Sequence, residues 1–60
     1  MTPWEALIAA IEACGRTHRE ACDIAMRWVF KHEEINDTWP ASVHEALRAY
    51  EADGLTFVNA

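Results

Sequence analysis

The stretch from His18 to Ile35 carries an apolar arc that is too broad for a helix packed on one side only. At about 100° per residue, its charged side chains fall on one narrow stripe, and apolar side chains cover well over half of the circumference. Such a helix needs neighbours on two sides, or a partner chain on one. The sequence therefore predicts a central helix here, with Trp28 between the first and third helices. The charged stripe consists of Glu20, Asp23, Arg27, Lys31 and Glu34.

A first helix is predicted to begin at Pro3. Thr2-Pro3-Trp4-Glu5 has the pattern of a capping box, with proline at the first helical position, where its missing N–H is not needed. Gly15 is placed to end this helix in a left-handed conformation. The apolar face that recurs at helical spacing consists of Trp4, Leu7, Ile8, Ile11 and Cys14.

The predicted central helix begins at a second capping box. Thr17-His18-Arg19-Glu20 follows Gly15 by only two residues, which favours a tight antiparallel hairpin of the first and second helices. We expect this helix to run to about Ile35, because Asn36-Asp37 supplies a stop and a turn.

A third helix is predicted after the turn, with two alternative starting points. It begins either at Pro40 or just after Ser42, since Ser42-Val43-His44-Glu45 is again a capping box, and Gly54 ends it. The tail from Leu55 to Val58 has the composition of a strand but no second strand to pair with. It lies as an extended arm over the helices or pairs with something outside this chain.

The sequence therefore predicts an all-α fold, a single helical domain over residues 1–60 that forms a three-helix bundle with a short extended C-terminal arm. A chain of this length buries only about 60% of the surface that its unfolded form exposes. The broad apolar arc, an alanine-rich face on the first helix and the unpaired tail together favour a homodimer over a monomer.

Charge is distributed unevenly along the chain. The net charge is −5 at pH 7, and residues 1–32 are balanced, so residues 33–60 hold all of it, with Arg48 as their one basic residue. No apolar run approaches the roughly 18 residues that span a bilayer. The N-terminus lacks the basic flank and apolar stretch of a signal peptide. We therefore expect a cytoplasmic protein.

Cys14, His18 and Cys22 have the spacing C-x3-H-x3-C, which could bring three metal ligands together. Structural zinc normally requires four ligands, and no convincing fourth cysteine or histidine stands near. Core cysteines beside a turn histidine explain the pattern better than a metal site does. A Cys14–Cys22 disulfide is geometrically conceivable in a hairpin and ranks no higher than the metal site.

The sequence offers little for catalysis. His18 and Cys22 lie at i, i+4 and could touch, but no third orienting group, oxyanion site or pocket is evident. A domain of this size can hardly enclose a substrate, and no glycine-rich loop suggests phosphate binding. We therefore expect a protein that is not an enzyme and that uses no cofactor and no metal.

The segment from Val43 to Val58 resembles the last helix and first wing strand of winged-helix regulators, because an amphipathic helix ends there in Gly54-Leu55. This resemblance implies a degenerate winged-helix regulator or antitoxin. A recognition helix needs lysine or arginine to neutralise phosphates, and here Arg48 stands alone among acidic residues. Direct binding of nucleic acid is therefore electrostatically opposed.

In size, acidity and lack of catalytic residues, the chain is similar to small phage-encoded inhibitors, notably the anti-CRISPR proteins that occupy nucleic-acid sites on their targets. The resemblance implies an inhibitor that binds a protein target, such as a nucleic-acid-binding complex, through an acidic face that mimics DNA, without contacting a membrane. The candidate partner-binding residues are Glu33, Glu34, Asp37, Trp39, Glu45, Glu51 and Asp53.

Other interpretations of the same residues stay open. Trp39 is either an aromatic anchor for the partner or a lid over the core. An acidic surface can also serve only to keep a small protein soluble. A small structural or adaptor subunit is the remaining alternative function.

Overall fold

The computed structural model describes residues 1–53 and confirms the three-helix fold. Its helices are α1 (Pro3–Glu12), α2 (His18–Lys31) and α3 (Ala41–Ala52), and residues 1–53 contain no strand. The predicted C-terminal arm lies outside the described residues. No helix within residues 1–53 has the length and apolar character that crossing a membrane requires.

Both predicted capping boxes are present. At α1, the Thr2 hydroxyl accepts a hydrogen bond from the Glu5 N–H at 3.2 Å, and the Glu5 carboxylate accepts one from the Thr2 N–H at 2.8 Å. Thr17 and Glu20 repeat this reciprocal pair at α2, with distances of 3.1 and 2.9 Å. These bonds satisfy backbone donors that a helix start otherwise leaves without partners, and so they fix where the two helices begin.

The central helix is α1, and the prediction that α2 is central is wrong. α1 packs closely against both other helices. The rings of Trp4 and Tyr50 lie 5.6 Å apart, and Arg16 lies 5.1 Å from the centre of the Trp39 ring. Each end of α1 therefore meets the opposite end of α3, so the two helices run antiparallel.

The apolar arc of α2 is only partly used by the core. Ala21, Ile24 and Ala25 are buried, whereas Met26 is 43% exposed and Phe30 is 63% exposed. Periodicity marks residues that can be buried, but it does not say how many neighbouring helices are available to bury them. This is why the breadth of the arc indicated the wrong central helix.

The core lies where α1 meets the other two helices. Its largest fully buried side chains are Tyr50, Leu7, Ile11 and Val43. Trp28 does not lie at the centre as expected. It is half-buried at the edge of the core, and its ring meets the His32 ring edge-on at 4.9 Å. The aromatic residue at the centre of the core is Tyr50.

α2 ends four residues before the predicted end at Ile35. His32 caps it in the left-handed conformation with φ 55°, and Glu34 also has a positive φ of 80°. α2 is already longer than α1, about 21 Å against about 15 Å at 1.5 Å per residue. A continued helix would carry Ile35 beyond the end of α1, whereas the connection turns Ile35 into the core, where it is only 5% exposed.

α3 begins at the first of the two predicted starting points. Pro40 is its N-cap and makes no side-chain capping bond, and its carbonyl accepts hydrogen bonds from the N–H groups of Val43 and His44 at 3.1 and 3.4 Å. Ser42 lies within the first turn, so the alternative start after Ser42 is wrong.

Candidate functional site

The predicted acidic residues all lie on the surface, in two neighbouring parts of the chain. Three belong to the connection between α2 and α3, and three belong to α3 or its C-cap. They are Glu33, Glu34 and Asp37 in the connection, Glu45 and Glu51 on α3, and Asp53 at the C-cap.

These carboxylates lie before and along α3, and Glu45 and Glu51, six residues apart, project about 120° from each other around the helix axis. The helix has twelve residues and therefore spans about 18 Å. Asp37 precedes its first turn, and Glu51 lies in its last turn. We use the name acidic band for Glu33, Asp37, Glu45 and Glu51, none of which forms an ion pair within residues 1–53.

Glu34 differs from the members of the acidic band because its charge is paired. Its carboxylate accepts a hydrogen bond from Arg27 at 2.9 Å, and both side chains are about half-exposed. This ion pair ties the connection to α2. An exposed pair of this kind contributes little to stability, about 0.2–1 kcal/mol, but it removes Glu34 from the net negative charge offered to a partner.

Trp39 is already engaged within the protein. It is half-buried against the core, its Nε1–H donates to the backbone carbonyl of Glu34 at 2.8 Å, and Arg16 covers its ring. These contacts are the ones expected of Trp39 as a lid over the core. The other predicted role, an aromatic anchor for a partner, would have to use the exposed part of the side chain.

The two cysteines do not join His18 in a metal site. Both thiols are free, and residues 1–53 contain no cluster of three side chains that could hold a metal ion. The Cys14 thiol is exposed and donates weakly to the Ala10 carbonyl at 3.5 Å, so the prediction of a core cysteine is wrong for Cys14. Cys22 is half-buried and packs against the core.

His18 instead connects Cys22 to a carboxylate across the turn between α1 and α2. Its Nδ1 lies 2.6 Å from Glu12 Oε2, and its Nε2 lies 3.7 Å from Cys22 Sγ. The expectation that no third group orients His18 is therefore wrong. Glu12 ends α1 and His18 begins α2, and the turn at residues 13–17, with Gly15 at φ 94°, brings them together.

Cys22 and His18 border an open groove between α1 and α2 with a volume of about 370 Å³. We call it the thiol groove, and Trp4, Glu5, Ile8, Glu12, His18 and Cys22 are among its lining residues. A volume in this range matches that of small-molecule sites. This groove could not be predicted from the sequence, because helical periodicity describes each helix separately and not the space between two of them.

Two groups near α1 have shifted pKa values. The hydrogen bond from the Thr2 backbone N–H, together with that from the Thr2 hydroxyl, lowers the pKa of Glu5, because both bonds favour the ionised carboxylate. Burial raises the pKa of Tyr50, because the core disfavours the charged phenolate.

Comparisons with protein-family models, with curated proteins and with solved structures find no match to this chain.

Proposed function

We propose that this protein is a non-enzymatic inhibitor that binds a protein target through the acidic band, at a basic surface that the target uses for nucleic acid. The observation that carries the proposal is the acidic band itself. Its four carboxylates are exposed and hold no ion pair within residues 1–53, and Arg48 is the one cation between residues 33 and 53.

Complementary charge supports this mode of binding. A surface with several unpaired charges of one sign attracts a surface of the opposite sign and speeds their encounter. Nucleic-acid sites are rich in lysine and arginine, because they must neutralise phosphates. A protein with unpaired carboxylates along an 18 Å helix, about the length of α3, can compete with nucleic acid for such a site.

We propose that the protein acts in the same way as the anti-CRISPR inhibitors. The target class is then an RNA-guided, DNA-binding complex in the cell that a phage infects, and the protein acts in the cytoplasm. α3 carries a single arginine among its acidic residues, which favours binding to a protein over direct binding to DNA. The wing strand that a winged-helix regulator would need falls outside the described residues.

The test is a competition experiment with purified RNA-guided effector complexes and labelled target DNA. Wild-type protein should displace the DNA, and the displacement should weaken as the ionic strength rises, because salt screens exposed charges. The variant Glu33→Lys/Asp37→Lys/Glu45→Lys should keep its fold and lose the displacement. Glu34 is left unchanged because it pairs with Arg27.

A matched control separates a specific surface from overall acidity. Asp23 is an exposed carboxylate on α2, outside the acidic band. Asp23→Lys should displace DNA as well as wild type does, whereas Glu45→Lys makes the same change of charge and should displace it less well. Equal losses in the two variants would show that overall acidity and not the acidic band causes the displacement, and no loss in either variant would show that these charges serve solubility alone.

A further inference from the structure

Glu12, His18 and Cys22 form a polar cluster that lies outside the acidic band. The three side chains form a hydrogen-bonded relay at the edge of the thiol groove. His18 and Cys22 lie at i, i+4, the spacing that puts two side chains on the same face of a helix. The capping box at Thr17 fixes the start of α2, and so it holds His18 in place beside Glu12.

The hydrogen bonds determine how the imidazole is oriented. A carboxylate has no proton to give, so His18 Nδ1–H donates to Glu12 Oε2 across the 2.6 Å contact. In the neutral ring, Nε2 then has a free lone pair, and it faces the Cys22 thiol at 3.7 Å. This is the arrangement of a nucleophile, a base and a group that orients the base.

We infer that Cys22 is a modification site, a nucleophilic thiol that accepts an acyl group from an uncharged ester or thioester with a short apolar acyl chain. The thiol groove supports this class of donor. Trp4 and Ile8 give it an apolar wall beside Cys22, along which a short acyl chain can lie. Glu5 and Glu12 place two carboxylates on the same groove, which disfavours an anionic donor.

The reaction with an ester balances as a simple acyl transfer. The thiol proton moves to His18 Nε2 as Cys22 Sγ attacks the carbonyl carbon and forms the carbon–sulfur bond. The bond between that carbon and the leaving oxygen then breaks, and the proton on Nε2 passes to the leaving oxygen. The products are a thioester on Cys22 and a free alcohol. Glu12 stays ionised throughout and stabilises the imidazolium that forms between the two steps.

The chain contains its own control in Cys14. This thiol is more exposed than Cys22, and its hydrogen-bond partner is the Ala10 carbonyl and not a histidine. If exposure alone determined reactivity, Cys14 would react faster. The relay instead makes the half-buried Cys22 the faster nucleophile.

The experiment uses 4-nitrophenyl butanoate as the acyl donor near pH 7. We expect a stoichiometric release of 4-nitrophenolate, and mass spectrometry should find one butanoyl group per chain, on Cys22. Cys14→Ser should react like wild type, and Cys22→Ser should show no burst. His18→Ala should slow the acylation about 100-fold, the usual effect of losing a positioned base. The acylation rate of Glu12→Gln should fall between the rates of wild type and His18→Ala.

Three readouts distinguish the relay from a structural role. The His18 side chain is 77% exposed, so His18→Ala should melt like wild type. Added imidazole should restore part of the acylation rate of His18→Ala, because it supplies the base that this variant lacks, whereas a purely structural role of His18 would allow no such rescue. Wild-type protein should react more slowly with an ester whose acyl chain ends in a carboxylate than with the uncharged ester. The hydrolysis of the two esters in buffer, which does not involve Cys22, should not show this difference.

Several results would overturn the inference. Equal acylation of Cys14 and Cys22, or an unchanged rate in His18→Ala, would show that the relay does not activate the thiol. Equal rates with the anionic and the uncharged esters would reject the assigned class of donor. None of these results bears on DNA displacement, so this inference and the proposed function can fail independently.

Discussion

The indole Nε1–H of Trp39 donates a hydrogen bond to the backbone carbonyl of Glu34 at 2.8 Å. Glu34 has a positive φ of 80°, a conformation that non-glycine residues rarely adopt. The bond closes the connection between α2 and α3 over five residues, and Arg16 covers the indole from the turn after α1. Trp39 therefore ties the connection before α3 to the turn after α1.

The first prediction concerns this role of Trp39. Trp39→Phe keeps an aromatic ring and loses the hydrogen bond to Glu34, which should lower the free energy of unfolding by about 1 kcal/mol. In a domain of this size that corresponds to a fall in Tm of roughly 4–8 °C. Thermal unfolding followed by circular dichroism is the measurement. Arg16→Met removes only the cation above the ring and should lower the melting temperature by less than Trp39→Phe does.

If Trp39 is instead an anchor for a partner, the pattern reverses. Trp39→Phe would then leave the melting temperature unchanged and weaken DNA displacement. A variant that loses stability but still displaces DNA when folded supports the role as a lid.

The second prediction concerns Gly15, whose φ is 94°. A Cβ added at this position would meet no atom within 4 Å, so any cost of a side chain there comes from the backbone alone. Gly15→Ala should lower the free energy of unfolding by about 1–2 kcal/mol, because a positive φ is unfavourable for L-residues. Urea unfolding, with a shifted midpoint and an unchanged slope, would measure it.

A D-residue provides the control for Gly15, and a chain of 60 residues is accessible to chemical synthesis. D-alanine favours a positive φ, so it should match or exceed the stability of glycine by restricting the unfolded chain. If L-alanine and D-alanine were equally destabilising, a factor other than φ would determine which residue this turn accepts.

The features that could be predicted from the sequence are those whose signals are local. The starts of α1 and α2 were predictable because Thr2 with Glu5 and Thr17 with Glu20 form their bonds within four residues. Gly15 was predictable for the same reason. The end of α2 was not, because His32 takes the left-handed conformation without being glycine or asparagine, the residues that usually mark such an end.

The parts of the candidate sites that depend on packing could not be predicted. The acidic band follows from charge counting, but the pairing of Glu34 with Arg27 depends on a connection that folds back on α2. Glu12 was not singled out from the sequence, because its contact with His18 depends on the turn between α1 and α2. The spacing of six residues across a break between two helices corresponds to no helical or strand period.

The third prediction concerns assembly. The homodimer expected from the sequence stays a prediction, and α2 offers the surface for it, with Met26 43% exposed and Phe30 63% exposed one turn later. Light scattering at micromolar concentration should return about twice the chain mass of 6.8 kDa. Met26→Lys should reduce it to one chain, because a buried lysine is costly.

The matched control for the dimer is Ala49→Lys, a new charge at an exposed position of α3. It should leave the dimer intact. A wild-type mass near 6.8 kDa would contradict the prediction, and loss of the dimer in Ala49→Lys but not in Met26→Lys would move the interface to α3.

The last prediction concerns Glu5 and acid stability. Hydrogen bonds from Thr2 lower the pKa of Glu5 in the folded protein, so the folded protein binds the Glu5 proton less tightly than the unfolded chain does. The resulting stability is fully present above the unfolded pKa of about 4.3 and disappears as the pH falls through the lower folded pKa. Glu5→Gln keeps an oxygen that can accept the bond from the Thr2 N–H and removes the charge. Wild type should therefore melt at a higher temperature than Glu5→Gln at pH 7, and the two melting curves should converge near pH 2.

Glu45→Gln, at an exposed site on α3 without a capping bond, is the control and should show a smaller difference from wild type at pH 7. A difference between wild type and Glu5→Gln that persisted at pH 2 would show that the amide disturbs the cap by its shape and not by its lack of charge.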